Sequence, residues 1–295
     1  MPSNYEYSYF SQDVYKDHSD PPPGWRILRE SNAEMGRNGY FGRAYINETT
    51  NEIVVAHRGT EFNKDASALL SNMAPVPHYA AHLRTSLPEG DLKSDGQIGF
   101  GMMPQQSSSA NAFNIQIKEA VHSLPNASQY DIHQTGHSLG GYLAQIESAR
   151  HSSRATTFDN PGVKIEIDRM LSNGEISPEQ YKYAMENIQS FQASDNFVNS
   201  KGHSLLGEEP DYSIISNAAW GLVKGALTDN SHIGKVTKLD HLKEHAINGF
   251  TNHFKPDSGE AQAQGTTENN IPDFHPILQQ IEQQINLLQQ NLSGK

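Results

Sequence analysis

The sequence has no cysteine, which excludes disulfides, thiolate nucleophiles, cysteine-ligated zinc and iron–sulfur clusters. Positive charge is also scarce: 22 Lys and Arg stand against 34 Asp and Glu, a formal net charge of −12. Phosphate-backbone binding draws on clustered cations, so the balance speaks against a nucleic-acid partner. It also weakens nonspecific attraction to anionic bilayers, leaving transient contact with a membrane surface as the most that is expected. No run approaches the roughly 18 apolar residues of a spanning helix. Met1–Phe10 is polar and tyrosine-rich, without the basic and apolar regions of a signal peptide. The expectation is a cytoplasmic protein, or one exported by a route that reads no N-terminal signal. Hydrophobic residues make up only 35%, and Asn, Gln and Ser rather than charge (19%) fill the difference. At 295 residues the chain is one large domain or one domain with appendages.

Residues 1–38 mix aromatics with the break Pro21-Pro22-Pro23-Gly24 and read as an N-terminal flap. Gly39–Ile46 and Ile53–His57 are rich in strand formers around the turn-like Asn47–Asn51, which predicts a hairpin feeding a buried strand. Phe113, Ile117, Val121 and Leu124 recur at helical spacing. Strands are then predicted at Tyr130–Thr135, Ala155–Phe158 and Ile188–Ala193, with helices at Leu139–Arg150 and after the Ser177-Pro178 cap. Ile214–Leu227 and Leu239–Phe254 read as helices. This alternation predicts an α/β fold, a mostly parallel sheet with helices on both faces, over residues 39–254. Residues 255–275 read as a polar linker. Residues 276–295 carry Ile277, Ile281, Ile285, Leu288 and Leu292 on one stripe, an amphipathic helix that packs on the domain or serves self-association or partner association.

Gly136-His137-Ser138-Leu139-Gly140-Gly141 stands between a predicted strand and a predicted helix. That is the G-x-S-x-G pattern in the context it requires, a serine hydroxyl thrust out of a tight strand-to-helix turn. The amide of Leu139 then faces a developing oxyanion at a helix N-terminus. Serine needs a base and an orienting acid, which follow it in the order acid, then histidine. Asp195, just past the strand Ile188–Ala193, is the expected acid, and Asp159 its competitor. Among 14 histidines, His245 is the expected base, with His241 and His232 as alternatives. Upstream, a buried strand ending in Arg58-Gly59-Thr60 suits Thr60 as the second oxyanion donor. Leu69, Leu70, Met73, Met102 and Met103 would suit a lid over an acyl pocket.

On these residues the sequence resembles the class 3 lipases, the fungal lipase-like α/β-hydrolases. The likeness rests on Val54–Thr60, Gly136–Gly141, Thr157–Gly162 and Ser194–Val198. It implies the α/β-hydrolase fold, Ser138 as nucleophile, Asp195 as triad acid, Thr60 at the oxyanion hole, an ester substrate that is usually a lipid, and no metal or organic cofactor. The chain departs from the family in carrying Glu61–Ala66 where a tryptophan-containing stretch is common, and Asn196–Asn199 after the acid where a proline-rich stretch is usual. The expected activity is a lipase or phospholipase A. An acyltransferase or thioesterase on the same triad, and a silent hydrolase fold acting as an effector, are the alternatives.

Overall fold

The computed structural model describes residues 1–59, 103–193, 232–242, 246–256 and 266–270. Eight strands form one sheet whose spatial order is the order of the chain. They are β1 (Arg26–Glu30), β2 (Gly42–Asn47), β3 (Glu52–His57), β4 (Asp131–His137), β5 (Arg154–Phe158), β6 (Ile188–Ala193), β7 (Gly234–Leu239) and β8 (Thr266–Asn270). β3 to β7 run parallel, and antiparallel pairs β1–β2–β3 and β7–β8 finish the two sides. Every residue of β2 and β3 is buried, which the Val54-Val55-Ala56 run requires of a strand covered on both faces.

Helices cover both faces, as the alternation predicts. On one face lie α1 (Asn4–Asp13) and α6 (Ile247–Phe254). There Phe10 stacks on Tyr45 at 4.3 Å between ring centres, and Phe254 meets Phe191 at 4.8 Å. On the other face lie α2 (Met103–His122), α3 (Leu139–His151), α4 (Lys164–Ser172) and α5 (Pro178–Asn187). Phe113, Ile117, Leu143 and Ile146 form the core of that layer, all buried. The helix after Ser177 begins where its cap demands: Ser177 Oγ accepts from Gln180 N–H at 3.2 Å, and Gln180 Oε1 accepts from Ser177 N–H at 2.8 Å.

Three expectations are corrected. Residues 1–38 are not a flap, because they supply α1 and the edge strand β1. Asp13, buried at the end of α1, accepts from Tyr45 O–H at 2.8 Å, and Arg43 Nη1 lies 3.4 Å from the same carboxylate. The stretch 255–275 is not all linker: Thr266–Asn270 pairs with β7 through backbone hydrogen bonds that need no apolar side chains. Leu239 ends β7 instead of opening a helix, and α6 starts at Ile247. The expected helices at 214–227 and 276–295, and residues 66–102 of the expected lid, lie outside the described residues. No helix among the described residues is long and apolar enough to cross a membrane.

Candidate active site

The site begins at the turn from β4 into α3. Ser138 has φ 58° and ψ −130°, outside the left-handed well, a conformation that costs about 1–3 kcal/mol in a residue with a Cβ. Backbone bonds hold it there. Ser138 N–H donates to the Phe158 carbonyl on β5 at 3.0 Å, and its own carbonyl accepts from Gly141 and Tyr142 N–H at 3.0 and 3.2 Å. The neighbouring glycines make the crossing possible. A Cβ on Gly136 would run into the backbone of Gly140, and one on Gly140 into the carbonyl of His57 on β3. Hydrogen is the only side chain that fits at either position. Ser138 itself is half-buried. The first amides of α3, Leu139 included, have no intrahelical acceptor and lie at the positive end of the helix dipole.

The exit of β3 forms the second wall. A Cβ on Gly59 would fall 2.8 Å from the His137 carbonyl and 3.4 Å from Ser138 Cβ, so Gly59 lies directly against the serine turn. Its N–H donates to the Tyr15 hydroxyl at 2.9 Å. That hydroxyl is also 3.5 Å from both Nδ1 and the carbonyl of His137. Tyr15, just beyond α1, therefore ties both walls together. No short-range pattern marks it, since it meets residues far along the chain. Arg58 lies with its guanidinium 5.0 Å from the ring centre of Phe41.

A buried polar chain supports this wall from behind. His57 Nδ1 is 3.0 Å from Tyr40 Oη, and its Nε2 is 2.9 Å from Gln134 Oε1. Gln134 Nε2 donates to Asn114 Oδ1 at 2.8 Å, and Asn114 Nδ2 to the Ala110 carbonyl at 3.1 Å. The amide directions assign the proton of His57 to Nε2, with Nδ1 accepting from Tyr40. Burial pushes the His57 pKa below the ordinary histidine range, chiefly through desolvation, so the ring is a neutral brace.

The expected residues fall unevenly on this frame. Ser138 and Leu139 occupy the turn just described. Thr60, which follows Gly59, and the pair Asp195 and His245 lie outside the described residues. Asp159 is fully buried, and its Oδ1 accepts from Ala193 N–H at 3.1 Å, which pins the end of β6. His232 is corrected as an alternative base. It precedes the start of β7, whereas Ser138 follows the end of β4; the strands are parallel, so the two residues sit at opposite edges of the sheet. A six-residue strand spans about 20 Å. His241 follows the end of β7, at the serine's edge, and its Nε2 lies 3.1 Å from His253 Nδ1 on α6. No group of three or more His, Asp or Glu suited to a metal ion occurs among the described residues.

Comparison with known families matches residues 6–174, more than half of the chain, to the family described as phospholipase-like, the Tle-like phospholipase domain. The match includes the serine turn and ends before Asp195 and His245. An uncharacterized protein of Rickettsia prowazekii (strain Madrid E) is 24% identical over 221 residues, covering 72% of this chain and 46% of its own. The chain thus spans about half the length of the curated relative it matches. Among solved structures, a lipase of Yarrowia lipolytica is 13% identical with a TM-score of 0.39, covering 64% of this chain and 70% of its own. A mutant form of MDLA from Penicillium cyclopium is 12% identical with a TM-score of 0.45, covering 92% and 84%.

Proposed function

The chain belongs to the Tle-like phospholipase family, a lipase-like group of lipid ester hydrolases, and on that premise we propose that it cleaves carboxylic esters of lipids through a Ser–His–Asp triad and an acyl-enzyme. The observation that carries the reading is the strained φ 58° and ψ −130° of Ser138, held by bonds from β5 and α3 at the edge where the parallel strands end. In this reading Ser138 Oγ attacks the ester carbonyl while His245 takes its proton. The alcohol leaves with that proton, and a water deacylates the serine by the reverse transfers. Asp195 holds the imidazole and stabilises its charged form. The amides of Leu139 and Thr60 receive the oxyanion, each donor contributing ~10²–10³ in rate.

Labelling by a fluorophosphonate tests the nucleophile, and release of fatty acid from phospholipid vesicles tests the substrate class. The expected result is labelling and release by the native chain, with both lost in Ser138→Ala. Labelling that persists in Ser138→Ala removes the proposed nucleophile. Labelling without release from phospholipids, but with turnover of soluble esters, removes the lipid substrate alone.

A further inference from the structure

Far from Ser138, at the other end of α3, three titratable side chains line up. Lys118 on α2 places Nζ 2.9 Å from His151 Nδ1. The same ring's Nε2 is 3.1 Å from Asn111 Oδ1 and 3.2 Å from Glu147 Oε2. Glu147 is wholly buried, and its other oxygen accepts from Arg150 Nη1 at 2.6 Å.

The geometry restricts where protons can be. An ammonium and an imidazolium cannot face each other N to N at hydrogen-bond distance, because both would be donors with no acceptor between them. The lysine, as ammonium or amine, donates to Nδ1 only while the imidazole is neutral; a protonated Nδ1 requires the amine. Asn111 Oδ1 and the Glu147 carboxylate both favour a proton on Nε2. No carboxylate lies within ion-pairing distance of Lys118 among the described residues, unlike exposed Lys182, which has Glu186 at 3.8 Å. Burial lowers the Lys118 pKa, and Glu147 opposes the shift without cancelling it. His151 also borders a polar cavity of about 470 Å³ at the ends of α2, α3 and α4, so the cluster is not sealed from solvent.

We propose that Lys118 is a nucleophilic lysine, a modification site acylated by acyl thioesters, with His151 as its base and Asn111 orienting the ring. With the imidazole neutral and its Nδ1 lone pair facing the amine, Lys118 Nζ attacks the thioester carbonyl, forming the N–C bond. The proton lost from nitrogen passes to His151 Nδ1, the C–S bond breaks, and the departing thiolate collects that proton as a free thiol. The products are an N-acyl-lysine and a thiol, with no redox change. The reaction is independent of the ester hydrolysis proposed at Ser138.

The test exposes the full chain to a limiting amount of the acetyl thioester of N-acetylcysteamine, and mass spectrometry of its peptides follows acetylation at each lysine. Positioned general-base assistance contributes about 10²–10⁴, so Lys118 should acetylate at least about tenfold faster than Lys182 near neutral pH. That ratio should shrink as pH rises, because the lowered pKa of Lys118 favours its amine most at lower pH. His151→Gln keeps an acceptor for Lys118 but has no base, and should abolish the advantage while leaving the melting temperature near that of the native chain. A ratio of one or less, a ratio flat with pH, or an undiminished ratio in His151→Gln overturns the proposal. The pH dependence is read on the native chain, so the test stands even where the variant misfolds.

Discussion

The two edges of the parallel sheet turn the chain by different means. At the edge where strands begin, Asn51, Asn126 and Ser152 have positive φ. Asn126 (φ 57°, ψ 36°) and Ser152 (φ 49°, ψ 46°) sit in the left-handed well, which asparagine adopts cheaply and which commonly closes a helix. At the edge where strands end, the non-glycine residues of positive φ among those described are Ser138 and Asp159. Ser138 lies outside that well, at a φ and ψ that turns ordinarily give to glycine. Relaxed turns at one edge and a forced one at the other show where stability has been exchanged for the placement of a hydroxyl.

Replacements can break this contrast. The largest effect is on turnover: Ser138→Ala should lower ester hydrolysis by ~10⁵ or more with the fold unchanged, as read by circular dichroism. Next comes Gly140→Ala, whose new Cβ meets the His57 carbonyl. It should cost about 3 kcal/mol or more in denaturant melts. Gly36→Ala, which meets nothing within 4 Å, should change stability by less than about 0.5 kcal/mol. Tyr15→Phe removes the acceptor of Gly59 N–H and should lower kcat about tenfold, the effect of one hydrogen bond of about 1.4 kcal/mol. Ser138→Gly should be inactive yet more stable by about 1 kcal/mol, whereas Asn126→Gly should barely alter stability.

The smallest expected effect concerns pH. Burial lowers the folded pKa of His57, so below the unfolded value of about 6.5 the unfolded chain binds the proton that the folded chain refuses. Stability is therefore full above about pH 6.5 and declines as pH falls towards the folded pKa. Melting temperatures recorded from about pH 7.5 down to about 5.5 should show this decline, and His57→Gln should make it shallower.

What the sequence made legible follows from how far each residue's partners lie along the chain. Val54–His57, Leu139–Arg150 and Ile188–Ala193 could be read because their burial imprints a local apolar pattern. The serine turn could be read because its glycines crowd one another within six residues. β1 and β8 could not: Arg26-Ile27-Leu28-Arg29-Glu30 and Thr266-Thr267-Glu268-Asn269-Asn270 are edge strands held by backbone bonds, with little apolar surface to hide. α1 was missed for a related reason: its contacts to Tyr45 and His133 lie far ahead in the sequence. Tyr15 and His57 escaped as members of the site because no motif encodes a partner so distant. His232 was misjudged because its place downstream of Asp195 says nothing about which end of a strand it occupies.

Because the strands lie side by side in the order of translation, the sheet can grow at a single advancing border while the ribosome is still at work. Of the backbone bonds that hold the serine bend, the one to the Phe158 carbonyl comes from a strand made later. A nascent chain halted before β5 would therefore carry the serine bend without that tie.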